Sequence, residues 1–218
     1  MLKKYFVILF ALFSIAVAAP EKWAAEIATL TKNDAVQPPP ANAVVFVGSS
    51  TIRFWTTLAQ DFPGVPTINR GFGGSELADS VAYADRIVIP YHPRLVVLYA
   101  GDNDLSAGKT PETVTADFRA FCAKVHAALP ETRIIFLSIK PSPSRWKIHA
   151  AMERANALIA AECAKDPRRL TFLDVYHSLL GPDGQPRPEL FRPDMLHMQP
   201  AGYAIWTPLL AAKLKADR

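Results

Sequence analysis

Residues 95–104 read LVVLYAGDND, an apolar run of strand length that ends in glycine and a cluster of polar residues. Polar and apolar positions do not alternate in the run, which is typical of a strand that helices cover on both faces. Such strands form parallel sheets, whose ligands bind at the carboxyl ends of the strands. The stretch therefore predicts a parallel sheet and a functional site near Asp102, Asn103 and Asp104.

The same order of apolar run and amphipathic stretch occurs along most of the chain. The predicted strands are Val44–Val47, Val65–Asn69, Leu95–Ala100, Arg133–Ile139 and Leu170–Val175. The predicted helices are Thr51–Ala59, Glu76–Ile87, Pro111–Leu129, Ser144–Lys165 and a last helix from Ala201. This βαβα order predicts an α/β fold, a three-layer α/β/α sandwich around a five-stranded parallel sheet. Pro66 cannot donate a hydrogen bond to a neighbour, which places the second strand at an edge and fits the order 2-1-3-4-5.

Length and composition exclude several classes of protein. The chain has 218 residues, of which 50% are hydrophobic and 20% are charged, so it is neither disordered nor fibrous. A chain of this length can bury a core large enough to support a precise site. The net charge of +4, two units of which belong to Lys3 and Lys4, is too small for an electrostatic nucleic-acid binder. We expect no nucleic-acid partner.

Residues 1–18 have the features of a signal peptide. Two lysines precede an apolar run over residues 5–17, and Ala16 and Ala18 have the spacing of a signal-peptidase site. The run is shorter than the roughly 20 residues that span a bilayer, so a permanent anchor is the less favoured alternative. We predict cleavage after Ala18 and a secreted or periplasmic protein with no stable membrane span.

The remaining chain is predicted to form one domain behind a short lead-in segment. Residues 19–43 comprise a helix within residues 21–35 and a stiff spacer at Pro38–Pro40, and residues 44–218 form the domain. No composition shift marks a second boundary, and no feature indicates an oligomeric state.

The cysteines and histidines do not form a metal motif. Cys122 and Cys163 lie in predicted helices far apart in sequence, and the five histidines lack ligand spacing. In an exported chain the two cysteines either form one disulfide or remain as buried thiols, and both alternatives stay open. The glycines of GFGG at 71–74 lack the spacing of a dinucleotide loop. We expect no metal and no cofactor.

A serine, a histidine and an aspartate fall where the predicted sheet would bring them together. Ser50 follows the first strand at a turn that Gly48 opens. A serine hydroxyl needs a base to accept its proton and a group that orients the base. His197 can act as the base and Asp194, three residues earlier, as the orienting group. These three residues therefore predict nucleophilic catalysis.

Hydrogen-bond donors for a developing oxyanion are available after the second and third strands. Gly73 and Gly74 allow close backbone approach with a free N–H, and the Asn103 amide can donate without adding charge. An acyl-transfer site needs such donors aimed at the carbonyl oxygen.

Taken together, four blocks of the sequence resemble a known family. In order along the chain they are FVGSS at 46–50, NRGFGGS at 69–75, AGDND at 100–104 and DMLH at 194–197. The chain resembles the SGNH, or GDSL-type, hydrolase superfamily over about residues 44–210, and is most similar to esterases related to platelet-activating-factor acetylhydrolase. The resemblance implies a flavodoxin-like fold and hydrolysis of esters.

The resemblance also implies roles for single residues. Ser50 would be the nucleophile, with Asp194 and His197 as its catalytic partners. The N–H groups of Ser50 and Gly74 and the Asn103 side chain would form the oxyanion hole. The family's GDS is GSS in this chain, where Ser49 replaces an aspartate that is not the triad acid. Because two serines are adjacent, Ser49 stays open as the alternative nucleophile.

Several other polar residues near the blocks are candidate substrate contacts or structural groups. Arg53, Arg70 and Ser75 are predicted to bind substrate, and Arg192 is a further cation beside the fourth block. Bracing of the loops is the alternative for Arg53, and ordinary ion pairs are the alternative for Arg70 and Arg192. Structural roles are favoured for the remaining candidates: Asp102, Asp104, His92, His126, His149 and His177.

The sequence as a whole predicts an exported ester hydrolase that forms an acyl-enzyme on Ser50. The chain has few long insertions that could build a lid or a deep acyl tunnel, so short acyl groups such as acetyl are favoured on small-molecule or glycan esters. Lysophospholipid or thioester substrates and acyl transfer to a sugar hydroxyl are alternatives with the same triad. A non-catalytic module that binds glycans or lipids is the alternative from another class.

Overall fold

A parallel sheet forms the centre of the molecule. The computed structural model describes residues 21–216, and the predicted signal peptide lies outside them. Within this range five strands form one sheet in the order β2-β1-β3-β4-β5. Their bounds are Val44–Gly48 (β1), Thr67–Gly71 (β2), Leu95–Tyr99 (β3), Arg133–Leu137 (β4) and Leu170–Leu173 (β5). All neighbouring strands are parallel, which confirms the predicted class and strand order.

β2 lies at an edge of the sheet, as Pro66 predicted. Val44 pairs with Thr67 and Gly48 with Gly71. The carbonyl of Pro66 accepts a hydrogen bond of 2.8 Å from the Val44 N–H. Proline has no N–H to donate to a neighbouring strand. The sheet loses no hydrogen bond by this, because no strand within residues 21–216 pairs with the other side of β2.

Helices cover both faces of the sheet. Their bounds are Ala24–Thr31 (α1), Ser50–Arg53 (α2), Leu58–Asp61 (α3), Leu77–Ile87 (α4), Asp102–Ser106 (α5), Pro111–Ala128 (α6), His149–Cys163 (α7) and Pro200–Ala216 (α8). None of these helices, which are those of residues 21–216, is both long and apolar enough to cross a bilayer.

Each face of the sheet has its own hydrophobic core. Because successive strand residues point to opposite faces, Val45 and Val47 pack with α1, α4, α6 and α7, whereas Val44 and Phe46 pack with α2, α3 and α8. All four side chains are fully buried. The continuous apolar runs in the sequence therefore reflect burial on both faces.

The predicted helix Thr51–Ala59 is wrong, since two short helices, α2 and α3, replace it. The carbonyl of Ile52 accepts hydrogen bonds from the Trp55 N–H at 3.0 Å and from Asn69 Nδ2 at 2.8 Å. Trp55 is buried, and its Nε1 donates to Asp61 at 2.5 Å. The Ile52 carbonyl, which a continuous helix would pair with the Thr56 N–H, is thus taken up by other donors, and the helix ends at Arg53.

Two other helices are shorter than predicted. Within residues 21–35, α1 covers Ala24–Thr31, and Glu21–Trp23 is a 3-10 turn. The helix predicted from Ser144 begins at His149, and residues Pro143–Ile148 form a 3-10 helix before it. The first turn of that 3-10 helix contacts the loop before α8, where the Met195 carbonyl accepts a hydrogen bond of 3.0 Å from the Ser144 N–H.

Both cysteines are free thiols in the structure. Cys122 on α6 and Cys163 on α7 are buried in the same core. Burial raises the pKa of the Cys122 thiol well above its usual range and that of Cys163 to about 12. Of the two open alternatives, the structure contains the buried thiols.

Candidate active site

A sharp turn at the end of β1 positions Ser50. Gly48 has a φ of 137°, and a Cβ at this position would lie 1.8 Å from the Tyr99 carbonyl oxygen. The Ser49 N–H donates to the same carbonyl at 3.0 Å, which fixes the turn against β3. Ser50 therefore begins α2 at the carboxyl edge of the sheet.

The loop before α8 brings His197 to Ser50. The Nε2 atom of His197 lies 3.0 Å from the Ser50 Oγ. Within the loop, the Arg192 N–H donates to the His197 carbonyl at 2.7 Å. The Asp194 carboxylate lies 2.6 Å from His197 Nδ1, and its other oxygen accepts the N–H groups of Leu196 and His197 at 2.9 Å. The backbone thus holds the carboxylate against the imidazole.

The charge of Asp194 determines the role of each imidazole nitrogen. Partial burial acts to raise the Asp194 pKa, but the hydrogen bonds from the His197 side chain and from two backbone N–H groups lower it to about 2. An ionised carboxylate can only accept, so the hydrogen of this contact lies on Nδ1. In the neutral imidazole, Nε2 then has a lone pair and faces the Ser50 hydroxyl.

The two adjacent serines differ in environment. Ser49 is 1% exposed, and its Oγ has no hydrogen-bond partner among the described residues. Ser50 is half-buried, and its Oγ contacts His197. The geometry therefore favours Ser50 over Ser49 as the nucleophile.

The three predicted oxyanion donors follow β1, β2 and β3, which are neighbouring strands of the sheet. The N–H groups of Ser50 and Gly74 have no acceptor within residues 21–216, and Gly74 has a φ of 69°. The Asn103 Nδ2 donates to the Ser75 carbonyl at 2.9 Å, which leaves its second hydrogen for another acceptor. The arrangement can accept an oxyanion next to an activated hydroxyl.

Comparison with known proteins places the chain in a family. A model described as the GDSL-like Lipase/Acylhydrolase family matches residues 42–205. The chain belongs to this family. No curated protein matches the sequence. The predicted resemblance to GDSL-type hydrolases is confirmed.

Solved structures of other proteins share the GDSL fold of this chain. A candidate platelet activating factor from Streptococcus pneumonia has 21% identity and a TM-score of 0.77, covering 88% of this chain and 93% of that one. A GDSL-like lipase from Bacteroides thetaiotaomicron has 22% identity and a TM-score of 0.73, covering 89% and 99%. A catalytic mutant of an acetylxylan esterase from Geobacillus stearothermophilus has 14% identity and a TM-score of 0.66, covering 81% and 95%.

A buried charged cluster lies behind the Asn103 amide of this GDSL protein. Arg145 Nη2 donates to Asn103 Oδ1 at 2.8 Å, and Arg145 Nη1 lies 3.0 Å from Asp102 Oδ2. The Lys140 ammonium, with 1% of its side chain exposed, lies 3.2 Å from the same Asp102 oxygen. Burial acts to raise the Asp102 pKa, but the facing charges of Lys140 and Arg145 outweigh burial and lower it.

Lys140 and Arg145 were missed from the sequence, although a signal for them exists. Both follow the fourth apolar run, where parallel sheets also place ligand-binding residues, as they do after the first three runs.

Asp102 and Asp104 have the structural roles that the sequence favoured. Asp104 accepts hydrogen bonds from the Leu77 N–H and from Lys109, and Asp102 accepts the Asn103 N–H and pairs with Lys140.

Arg53 lies at the rim of the site and ties α1 to the donor loop. Its Nη1 lies 3.2 Å from Glu26 Oε1, and the same oxygen accepts the Gly73 N–H at 3.2 Å. Half of the Arg53 side chain, 51%, is exposed. Arg53 therefore braces the loop, as in the alternative interpretation, and the exposed half of its side chain is accessible to a substrate.

Arg70 and Ser75 are not brought to the Ser50 hydroxyl. The Arg70 guanidinium binds both oxygens of Asp34 at 2.8 and 2.9 Å and the Tyr91 hydroxyl at 2.9 Å. Ser75 is fully buried, and its hydroxyl donates to the Phe72 carbonyl at 3.0 Å. Arg70 thus makes the alternative ion pair, and Ser75 contributes its carbonyl to Asn103.

Phe54 is a further residue that sequence reasoning missed. Its ring meets the His197 ring edge to face at a centroid distance of 5.0 Å. The Arg192 guanidinium lies 4.4 Å from the Phe54 centroid. The aromatic contact restricts rotation of the imidazole.

A second aspartate and histidine pair has the same sequence spacing. His177 Nδ1 lies 2.5 Å from Asp174 Oδ2, and Asp174 Oδ1 accepts the Tyr176 N–H. The His177 side chain is 75% exposed. The favoured surface role of His177 agrees with this placement.

Proposed function

We propose that this GDSL acylhydrolase is a serine esterase that forms an acyl-enzyme on Ser50. The chain belongs to a family of lipases and acylhydrolases, so the hydrolysis of esters is the expected type of reaction. The observation that carries the serine mechanism is the chain of contacts from Ser50 Oγ to His197 Nε2 at 3.0 Å and from His197 Nδ1 to Asp194 at 2.6 Å. The N–H groups of Ser50 and Gly74, which have no acceptor within residues 21–216, support it.

In the acylation step, His197 Nε2 accepts the Ser50 proton while Oγ attacks the ester carbonyl carbon. The carbonyl oxygen takes the negative charge between the N–H groups of Ser50 and Gly74 and the Asn103 amide. The imidazolium, which Asp194 stabilises, then gives the proton to the leaving oxygen. The bond between carbon and that oxygen breaks, and the alcohol leaves.

In the deacylation step, His197 accepts a proton from a water molecule that attacks the acyl-enzyme. The same donors hold the second oxyanion. The proton returns from His197 to Ser50 Oγ as the ester bond to the enzyme breaks, and the carboxylic acid leaves. No cofactor takes part in either step.

Short acyl groups, acetyl among them, are the substrates we favour. The connections that follow β1 and β3 are too short to form a lid, because Ser50 begins α2 two positions after β1 ends and Asp102 begins α5 three positions after β3 ends. The acetylxylan esterase with the same fold is consistent with acetyl esters of glycans as one substrate class. The signal-peptide pattern supports export to the compartment where such glycans occur.

A chain-length series of nitrophenyl esters on the mature protein tests the proposal. We expect the highest kcat/KM on the acetyl to butyryl esters. Ser50→Ala should lower kcat by about 10³ to 10⁶. Ser49→Ala is the matched control, because it removes the adjacent buried hydroxyl without touching His197. A fully active Ser50→Ala variant would overturn the mechanism, and an inactive Ser49→Ala with an active Ser50→Ala would move the nucleophile by one residue.

Product analysis distinguishes the alternatives that share the triad. Incubation of an acetyl ester with and without a sugar acceptor separates hydrolysis from transfer, since only transfer gives an acetylated sugar. Long-chain lysophospholipid and acyl thioester substrates complete the series. Binding of a glycan or lipid with no turnover of any ester would favour the non-catalytic module.

A further inference from the structure

The Asn103 carboxamide has a fixed orientation because both of its ends are bound. Its Nδ2 donates to the Ser75 carbonyl at 2.9 Å, and its Oδ1 accepts from Arg145 Nη2 at 2.8 Å. The two ends of a carboxamide have nearly the same shape but opposite hydrogen-bonding character. A flip about the last side-chain bond would present an oxygen to the oxyanion, so the Ser75 carbonyl and Arg145 together keep the amide in its donating orientation.

Arg145 is itself held by a buried anion. Its Nη1 lies 3.0 Å from Asp102, and only 16% of the Arg145 side chain and 5% of the Asp102 side chain are exposed. Asp102 also accepts the Asn103 N–H at 3.1 Å and pairs with Lys140. Two basic side chains therefore face one carboxylate directly behind the amide.

The same segment contacts the loop that carries the proposed base. Ser144, the neighbour of Arg145, donates its N–H to the Met195 carbonyl at 3.0 Å. Met195 lies between Asp194 and His197 in a left-handed conformation with a φ of 55°. Residues 140–145 thus connect the oxyanion donor on α5 with the loop before α8.

We infer that Arg145 is a positioning residue for catalysis, which holds the Asn103 amide in its donating orientation and supports the oxyanion electrostatically through that amide. The inference rests on the proposed function. The planar guanidinium is suited to the task because it binds Asp102 and Asn103 with two different nitrogens. A cation that polarises an amide strengthens the hydrogen bond which that amide donates.

A double-mutant cycle between Arg145 and Asn103 tests the inference. Loss of one oxyanion donor costs about 10²- to 10³-fold in kcat, so Asn103→Ala should fall in that range. Arg145→Met should lower kcat by about 10- to 100-fold on nitrophenyl acetate, with KM changed by less than about twofold. In the Asn103→Ala background the same substitution should lower kcat by less than about threefold, since its target is gone.

Two further variants separate positioning from a merely structural role. Arg145→Lys keeps the charge next to Asp102 but cannot bind two groups with a planar fork, so its kcat should lie between the parent and Arg145→Met. Arg154→Met, on α7, removes an exposed arginine paired with Glu112 and should leave kcat unchanged. The melting temperature of every variant is measured, and Arg145→Lys carries the cycle if Arg145→Met does not fold.

The outcomes separate the inference from the proposed function. An unchanged kcat in Arg145→Lys and Arg145→Met, or equal losses with and without Asn103, would overturn the role of Arg145. Full activity of Ser50→Ala would instead overturn the proposed mechanism. Loss of activity in Ser50→Ala and Asn103→Ala, together with a strongly non-additive cycle, is the expected result.

Discussion

His177 and His197 make the same contact with an aspartate three residues earlier, at 2.5 and 2.6 Å, but their Nε2 atoms have different surroundings. The Nε2 of His197 lies 3.0 Å from the Ser50 hydroxyl, although 147 positions separate the two residues. The His177 side chain is 75% exposed beyond β5. The local motif alone therefore does not bring an imidazole to a serine hydroxyl, and of the two histidines His197 is the one that contacts Ser50.

The two histidines provide a matched pair of variants. His197→Ala should lower kcat on nitrophenyl acetate by about 10³ to 10⁶, because no group remains to accept the Ser50 proton. His177→Ala removes an imidazole with the same aspartate contact and should change kcat by less than about twofold. Steady-state kinetics on both variants is the measurement. Equal losses would show that the site does not depend on the contact with Ser50.

Protonation of Asp194 should not limit the rate at mildly acidic pH. Since the Asp194 pKa is about 2, its carboxylate is ionised throughout the usual assay range. The carboxylate should therefore keep its contact with His197 Nδ1 at every pH between about 4 and 9. Profiles of kcat/KM over this range are measured for the parent and for a variant without the carboxylate.

Asp194→Asn should lower the whole profile without changing its shape, because the carboxylate does not titrate in this range. An asparagine side chain can donate towards Nδ1 and stabilise the wrong tautomer, which costs roughly 10⁴-fold in kcat in a triad of this type. The profile of the variant is compared with that of the parent over the same range. A change in the shape of the profile in Asp194→Asn would assign a titration in this range to the carboxylate and contradict the expectation.

Lys140→Met should destabilise the fold because it removes a partner of a buried charge. Lys140 and Asp102 are almost fully buried and 3.2 Å apart. Removing one member of a buried ion pair typically costs about 3–5 kcal/mol, and the loss should be smaller here because Arg145 still pairs with Asp102. Urea unfolding measures the loss. Lys124→Met, which removes a more exposed lysine paired with Asp85, is the control and should cost less than about 1 kcal/mol, and equal losses in the two variants would contradict this account.

Gly48→Ala should prevent stable folding, whereas Gly108→Ala should not. Both glycines have a positive φ, 137° and 94°, but a Cβ at Gly48 would lie 1.8 Å from the Tyr99 carbonyl oxygen, and a Cβ at Gly108 meets nothing within 4 Å. Backbone strain alone should cost Gly108→Ala about 1–2 kcal/mol. Gly48→Ala should lose more than about 4 kcal/mol. Similar melting temperatures for the two variants would contradict the steric argument.

Much of the fold could be predicted because burial on both faces leaves a direct mark on the sequence. The runs around Val44 and Leu95 are apolar throughout, and Pro66 excludes a central position for β2. The boundaries of α2 and α7 could not be predicted. They depend on contacts such as Asn69 to Ile52 and Ser144 to Met195, whose partners lie far apart along the chain.

Ser50 and Asn103 follow apolar runs directly, so the tendency of parallel sheets to bind ligands at their carboxyl ends located both from the sequence alone. The sequence also determined the class of fold, because the alternation of apolar runs with amphipathic stretches can be seen directly along the chain. Tertiary structure decided which of two identical aspartate and histidine spacings meets Ser50, that Arg70 pairs with Asp34, and that Arg145 binds Asn103. The physical reason is that a hydrogen bond depends on distance and direction in space, and chain folding sets these between residues whose separation in sequence carries no such information.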